Sequence, residues 1–341
     1  MKKLRCGIIG CGRIGCGFDD IPSKKLIRTH ALSYYKNSKS DLAALCDIDR
    51  EKLERYSKKF KIKNTYDQSK QMFEEENLDC VSICTTANLH QKLVEEAVEN
   101  NIKGIIIEKP ISFSLNSAKK IIDVCKNSNV VLAINHQRRF DPFYHLLVRM
   151  IQQRKNGLIQ YVNVYYGGGI ANSGSHIFDV LRHFFGDVKT IHANMSPNYS
   201  NNPLDQNLDV EIQFKNNIIG KLIGLSFQNF GIAEVDILFE KSRFTIDLVR
   251  NQVKVFEKSK KLQDYKLLQL SKTIQSIRPA TDIRHVIDNF LNCVITRKEP
   301  LCTGKDGYKS LELVIGSIIS ERTDKKLEIP IANKNYIIES R

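Results

Sequence analysis

Near the start of the chain, Gly10-Cys11-Gly12-Arg13-Ile14-Gly15 closes an apolar run from Leu4 to Ile9. In a strand–turn–helix unit, the first glycine of this spacing permits a tight turn. The second lets backbone approach a pyrophosphate, and the third lets helix and strand pack closely. The anion then lies on free amides at the helix N-terminus, where the dipole favours negative charge. A GxGxxG pattern alone is weak, since glycine-rich turns are common. Here Arg5-Cys6-Gly7-Ile8-Ile9 reads as a buried strand. That context makes Gly10, Gly12, Arg13, Ile14 and Gly15 a dinucleotide-binding turn.

The chain up to residue 135 repeats the same grammar. Short apolar runs at Leu42–Cys46, Cys80–Cys84, Gly104–Ile107 and Val130–Ile134 alternate with amphipathic stretches at Glu51–Phe60, His90–Glu99 and Ser117–Lys126. Runs apolar on both faces argue a parallel sheet covered by helices, an α/β Rossmann domain over 1–135. After about residue 150 the period changes to two, in Val162-Val164-Tyr166, Val210-Ile212-Phe214, Val235-Ile237-Phe239 and Phe244-Ile246-Leu248. That alternation marks half-buried, mostly antiparallel strands. Asn216-Asn217 and Glu240-Lys241-Ser242 supply turns, and helical stretches come later at Asp282–Thr296 and Gly307–Arg322. The expectation is an α+β domain over 136–341 with a large open sheet. Its apolar face needs a cover, from its own helices or from a second subunit, so a homo-oligomer (dimer or tetramer) through this sheet is expected.

Composition bounds the rest. At 341 residues and 42% hydrophobic, the chain can bury a large core. No apolar stretch approaches the ~20 residues of a membrane helix. Met1-Lys2-Lys3 imitates a signal-peptide n-region, but Gly7, Gly10, Gly12 and Arg13 break the segment after it, which reads as strand. The nine cysteines form no CxxC pair, which disfavours zinc and a disulfide framework and points to the cytoplasm. A net charge of +14 raises the question of nucleic acid. The lysines are spread over helix faces, the densest run, Lys258-Ser259-Lys260-Lys261, reads as a turn, and no nucleic-acid module is present. A positive field that attracts anionic cofactor and substrate is the functional reading that remains.

Two positions address the cofactor. Asp47 comes directly after the second apolar run, where an acidic residue hydrogen-bonds the adenosine ribose. It lies 32 residues past Gly15, against the usual ~20. Cys16 to Arg28, including Gly17-Phe18-Asp19-Asp20-Ile21-Pro22, accounts for the excess as an inserted, non-helical loop. A carboxylate at 47 repels a 2′-phosphate, which favours NAD over NADP; Arg50 is the residue able to pair with such a phosphate. Asp47 also suits the N-cap of the next helix. At the end of the run Gly104–Ile107 stands Glu108-Lys109-Pro110, which brings a lysine to the carboxyl edge of the sheet.

These motifs, with Asn135-His136-Gln137-Arg138-Arg139-Phe140-Asp141-Pro142, Gly174-Ser175-His176-Ile177-Phe178-Asp179 and Glu299-Pro300-Leu301-Cys302-Thr303-Gly304-Lys305-Asp306-Gly307, resemble the Gfo/Idh/MocA oxidoreductase family over nearly the whole chain. The resemblance implies that Lys109 lies beside nicotinamide and substrate, donating hydrogen bonds and relaying a proton, and that the peptide bond before Pro110 is often cis. An ammonium near an alcohol oxygen stabilises the charge that grows as hydride leaves, and a cationic neighbour lowers its pKa. His176 is the candidate general acid/base. The stripe Ile177, Val180, Leu181, Phe184 and Phe185 leaves His176, Asp179 and His183 on other faces. Inositol-dehydrogenase-like members carry an aspartate four residues before this histidine. Here the position is Asn172, which orients an imidazole without stabilising its charge, so His176 should be a weaker base; Asp179 substitutes in part or holds the helix. Arg138 or Arg139 reaches substrate or serves as an ion-pair partner, with Arg139 preferred. Thr85, His90 and Glu108 resemble positions near the cofactor. A metal at His176, Asp179 and His183 is not implied.

The reading is an NAD(P)-dependent dehydrogenase or reductase that moves hydride between nicotinamide and a hydroxyl- or keto-bearing carbon of a sugar, cyclitol or nucleotide-linked sugar. Lys109 and His176 are expected to converge on that carbon. Two alternatives stand beside it: an NAD-dependent glycoside hydrolase of the same family, and a non-catalytic dinucleotide-binding regulator.

Overall fold

Apolar runs without alternation need cover on both faces, and the computed structural model, which describes residues 2–21, 26–259, 266–276 and 282–338, provides it. Strands β1 (Leu4–Ile9), β2 (Ser40–Cys46), β3 (Asn64–Tyr66), β4 (Cys80–Ile83), β5 (Gly104–Ile107) and β6 (Val131–Ile134) form a parallel sheet in the order β3-β2-β1-β4-β5-β6. The order reverses at β1, which pairs with β2 on one side and β4 on the other, Ile8 lying opposite Leu45 and Ser82. Because all six strands run the same way, the turns after β1, β2, β4, β5 and β6 share the carboxyl edge, where ligands bind in such sheets.

The helices of this unit obey capping and periodicity. Helix α1 is His30–Lys36, α2 Arg50–Phe60, α3 Ser69–Glu75, α4 His90–Glu99 and α5 Leu115–Asn127. In α2, Leu53, Tyr56 and Phe60 form the buried stripe. Its N-cap is Asp49, whose Oδ1 accepts from the amides of Glu51 at 3.1 Å and Lys52 at 3.2 Å. That corrects the cap expected at Asp47. Ser114 caps α5 by accepting from Ser117 N at 3.2 Å.

By contact the chain forms two compact units, Met1–Phe140 with Thr281–Tyr308, and Asp141–Ala280 with Lys309–Arg341. The polypeptide therefore returns to its first unit late, a feature absent from the linear division expected at 135/136. Helix α8 (Arg284–Thr296) lies against the first sheet: a Cβ on Gly104 would come 2.3 Å from Val294 and 3.1 Å from Phe290. Thr303 bridges to Ala133. An amphipathic stripe reports that a face is buried, not which sheet buries it.

In the second unit, β7 (Ile159–Tyr166), β8 (Val188–Met195), β9 (Leu208–Phe214), β10 (Ile219–Gly224), β11 (Glu234–Phe239), β12 (Ser242–Asp247), β13 (Gln252–Lys258), β14 (Leu268–Gln275) and β15 (Leu327–Glu328) form a sheet ordered β14-β13-β12-β11-β7-β10-β9-β8-β15. Among the described residues, β7 with β10 is its parallel pair and the other neighbours are antiparallel. The expected α/β-plus-antiparallel architecture is present. The alternating runs at 162–166, 210–214, 235–239 and 244–248 are its central strands, with Val162, Val164, Tyr166, Val210, Ile212 and Phe214 buried. Strands β8, β10, β13, β14 and β15 were not anticipated. Helices α6 (Pro142–Ile151), α7 (Ser175–Phe185) and most of α9 (Gly304–Thr323) belong to this unit. Phe185 of α7 meets Phe214 of β9 with ring centroids 5.4 Å apart. The lysine-rich run begins at Lys258, the end of β13, and buried Ser259; Lys260 and Lys261 lie outside the described residues.

Candidate active site

At the end of β1, Gly10 adopts φ +96°, and a Cβ there would come 2.7 Å from the backbone of Cys84. A Cβ on Gly15 would fall 2.0 Å from Gly10 O, so no side chain fits. At Gly12, among the described residues other than its chain neighbours, nothing lies within 4 Å of where a Cβ would stand. Two glycines thus close the turn on itself, and the third leaves its outer face open for a close-lying anion, as a pyrophosphate requires. Asp47 lies beside this turn, its Oδ2 accepting from Cys11 N at 2.6 Å and its Oδ1 from Asp49 N at 2.9 Å. Arg50 points elsewhere, to Asp67 at 3.0 Å on the surface. The Arg13 guanidinium stacks 4.7 Å over the Phe18 ring.

The helix expected after the turn is interrupted. Cys16 N bonds to Gly12 O at 3.0 Å as a first turn, the chain then departs, and His30 N returns to Ile14 O at 3.1 Å and Ala31 N to Gly15 O at 2.9 Å. The chain between Gly15 and His30 thus interrupts one helix on its described sides, which explains the distance from Gly15 to Asp47. The expected loop is there, with one short 3₁₀ turn at Gly17–Asp19; Pro22 lies outside the described residues. Carboxylates anchor it. Asp19 accepts from Thr29 Oγ1 at 2.7 Å and Arg28 N at 3.0 Å, while Asp20 accepts from Tyr56 OH at 2.9 Å and Lys59 Nζ at 3.0 Å.

Glu108, Lys109 and Pro110 come directly after β5, and the Lys109–Pro110 peptide is cis. Beneath them runs a buried polar chain. His30, fully buried, places Nε2 2.9 Å from Glu108 Oε1 and Nδ1 2.9 Å from Ser82 Oγ. Tyr34 OH lies 2.8 Å from the same Ser82 oxygen, and Asn135 Nδ2 donates to Glu108 Oε1 at 2.6 Å. Burial pushes the Glu108 carboxyl up, but the His30 hydrogen bond, the Asn135 amide and the Lys109 charge outweigh it and hold the group below the usual range. His90 turns Nδ1 to Ile111 O and Nε2 to Thr85 O, each 3.1 Å away. Burial lowers its pKa, and its ring ties the turn after β4 to the segment after Pro110. Thr85 supplies that carbonyl, and its own Oγ1 donates to Thr86 O at 3.4 Å. Arg139, 8% exposed, pairs with Asp306 at 3.1 Å, the ion-pair role considered for it from sequence.

In the second unit, Asn172 sits in a π-helical turn (Gly169–Gly174) that leads into α7, with His176 in the first turn of α7. The four leading amides are all satisfied by one segment. Gly169 N donates to Asn207 Oδ1 at 3.0 Å, Ile170 N to Gln206 O at 2.9 Å, Ala171 N to Asp205 Oδ1 at 2.7 Å and Asn172 N to Asp205 Oδ2 at 2.9 Å. The apolar stripe of α7 is buried as expected. Asp179 lies off that stripe, as read, and is buried as well: it is 1% exposed and accepts from Ser310 Oγ at 3.4 Å. Sequence reading missed His30, Ser82, Tyr34, Asp205 and Asn207. Each acts across tens of residues, so no local spacing marks it.

Residues 4–136 match the family model described as an oxidoreductase family NAD-binding Rossmann fold, and residues 162–329 match the C-terminal alpha/beta domain of the same family. A D-apiose dehydrogenase of Paraburkholderia graminis is 26% identical over 210 residues, covering 57% of this chain and 52% of that protein. The chain thus spans about half the length of that relative. A myo-inositol 2-dehydrogenase of Thermotoga maritima is 22% identical over 314 residues, 85% of this chain and 91% of that protein. Among solved structures, the WlbA dehydrogenase of Bordetella pertussis in complex with NADH and UDP-GlcNAcA shares the fold, with a TM-score of 0.77 at 19% identity over 97% of this chain and 100% of the other.

Proposed function

The chain belongs to the Gfo/Idh/MocA oxidoreductase family, and from that membership we propose that it transfers hydride between NAD and a CH–OH or keto carbon of a sugar, cyclitol or nucleotide-linked sugar. The observation that carries the reading is the shared carboxyl edge of the first sheet. There the open face at Gly12, the Asp47 carboxylate and the Glu108-Lys109-Pro110 segment stand at the ends of β1, β2 and β5. NAD bound there supplies the C4 position that takes or gives the hydride. Gly10, Gly12, Arg13, Ile14 and Gly15 hold its pyrophosphate, Asp47 its adenosine ribose, and Thr85 backbone lines the turn. The carboxylate at 47 argues for NAD over NADP, since it would face a 2′-phosphate at close range.

In this reading Lys109 donates to the substrate oxygen and relays its proton, His176 exchanges that proton with solvent, and Asn172 orients the imidazole. An amide has no charge to offer an imidazolium, so His176 is a weaker base than a carboxylate partner would make it. Tyr161, Asn163 and Tyr165 of β7 are half-buried on the face of the second sheet opposite its core, which supports association of like subunits there. The nine cysteines are free thiols, as suits a reducing compartment such as the cytoplasm. The names of the relatives direct the substrate search to D-apiose, inositols and UDP-sugars.

The test is NADH formation at 340 nm over cyclitols, aldoses and UDP-sugars. Turnover on one of them, lost by ~10³-fold in Lys109→Ala while NADH still binds, is expected. Turnover that survives Lys109→Ala removes the lysine from the chemistry.

A further inference from the structure

With His30 as a neutral imidazole, the polar chain below Lys109 takes one consistent set of protons. The Glu108 carboxylate only accepts, so His30 Nε2 carries the hydrogen of the 2.9 Å contact. Nδ1 then accepts, so Ser82 donates to it at 2.9 Å, and the Ser82 oxygen is left to accept from Tyr34 OH at 2.8 Å. Asn135 gives Glu108 Oε1 a second donor at 2.6 Å. No proton is misplaced, and the side chains of His30, Ser82 and Tyr34 are all out of solvent. A satisfied network of this kind holds its members in one geometry.

The location of His30 gives this network its meaning. Its backbone amide bonds to Ile14 O at 3.1 Å, inside the dinucleotide-binding turn, while its ring bonds to the residue preceding Lys109. The insertion at 16–29 ends where it delivers this histidine to the carboxyl edge. We propose that His30 is a positioning residue for Lys109, acting through Glu108: its hydrogen bond to the carboxylate of the adjoining residue fixes the segment that bears the amine. The proposal deepens, and rests on, the reading of Lys109 as the group that relays the proton.

Around the Glu108 carboxylate, His30 from α1 and Asn135 after β6 lie within hydrogen-bond reach, and Cys84 after β4, His90 from α4 and the adjoining Lys109 interact with it by charge. Of these, His30 and Asn135 donate to it directly. A carboxylate on the adjoining residue favours the ammonium and keeps it protonated to higher pH. Removing the carboxylate, or the donor that orients it, lets Lys109 lose its proton at lower pH.

The measurement needs no substrate. Limiting acetic anhydride labels unprotonated amines, and peptide mass spectrometry of the full chain gives the pH at which Lys109 is half reactive. Glu108→Gln should lower that midpoint by about one pH unit. His30→Leu should lower it in the same direction by roughly half a unit or more. His30→Gln, whose amide can still donate to Glu108, should stay within about 0.3 unit of the parent. NADH fluorescence titration reports that each variant is folded. Midpoints unmoved in both Glu108→Gln and His30→Leu overturn the proposal, as does a His30→Gln shift equal to that of His30→Leu, which would mark His30 as core filling. Should His30→Leu fail to fold, Ser82→Ala, which frees Nδ1, decides in its place: a downward shift supports the proposal and none overturns it. Turnover surviving Lys109→Ala would overturn the reading of the lysine and leave these midpoints where they are, so the two failures are told apart.

Discussion

Asp47 holds the backbone amide of Cys11 at 2.6 Å, so the carboxylate that ends β2 braces the glycine turn that ends β1. Its other oxygen accepts from Asp49 N at 2.9 Å, which fixes the rotamer from both sides. One side chain thus sets the shape of the phosphate turn and the sign of charge beside it.

Asp47→Asn retains the size of the side chain and removes the charge. NADH binding, measured by fluorescence titration, should weaken by about tenfold, the loss of one charged hydrogen bond. NADPH binding should weaken less or improve, since the repulsion of a 2′-phosphate is gone. Equal losses for both cofactors would show that Asp47 does not discriminate between them.

Asn172→Asp supplies the charge absent next to His176. A neighbouring carboxylate favours the imidazolium and raises the histidine pKa by about one unit. On the proposed role of His176 as base, the unprotonated ring is the active form in the oxidative direction, so the rising limb of kcat/KM against pH should move to higher pH. A profile that stays in place separates Asn172 from the histidine.

Asp205 accepts two buried amides at the start of the turn that bears Asn172. Asp205→Ala strands both, at a cost of roughly 2–4 kcal/mol. Thermal unfolding of the second unit should fall accordingly, and NADH affinity, a property of the first unit, should change less than about twofold. A variant as stable as the parent would mean that water replaces the carboxylate without loss.

Glu312 of α9 is buried with Oε1 unpartnered, and burial pushes its pKa above the usual carboxylate value. The folded state therefore binds more protons than the unfolded one from the ordinary carboxylate range up to the raised pKa. Stability falls as pH rises through that window. Glu312→Gln removes the ionisation, and its Tm should exceed that of the parent by about 2 °C near pH 8 while matching it near pH 4. The same difference at both pH values would assign the effect to packing.

The glycine turn, the strands β1, β2, β4, β5 and β6 with helices α2, α4 and α5, and the lysine after β5 were legible because each is encoded by neighbours in the chain; the short β3, α1 and α3 were not read. Turn chemistry spans six residues, a buried parallel strand announces itself by the absence of alternation, and a stripe repeats every three or four positions. The same local logic located the insertion after Cys16, because a fixed motif spacing had been exceeded. It reached as far as Asn172 and His176 only through the motif around them.

Other features needed the folded chain. The ring of His30 meets Ser82 and Glu108 across separations of 52 and 78 residues. Asp205 reaches Ala171 and Asn172 from a loop 34 and 33 residues away. The burial of Asp179, the pairing of Arg139 with Asp306 and the return of α8 to the first sheet have the same origin. Sequence records which side chains prefer to leave water and which backbone turns are permitted. The choice of partner for a buried polar atom depends on strand order and on where the chain returns, and these are fixed only when the sheets assemble.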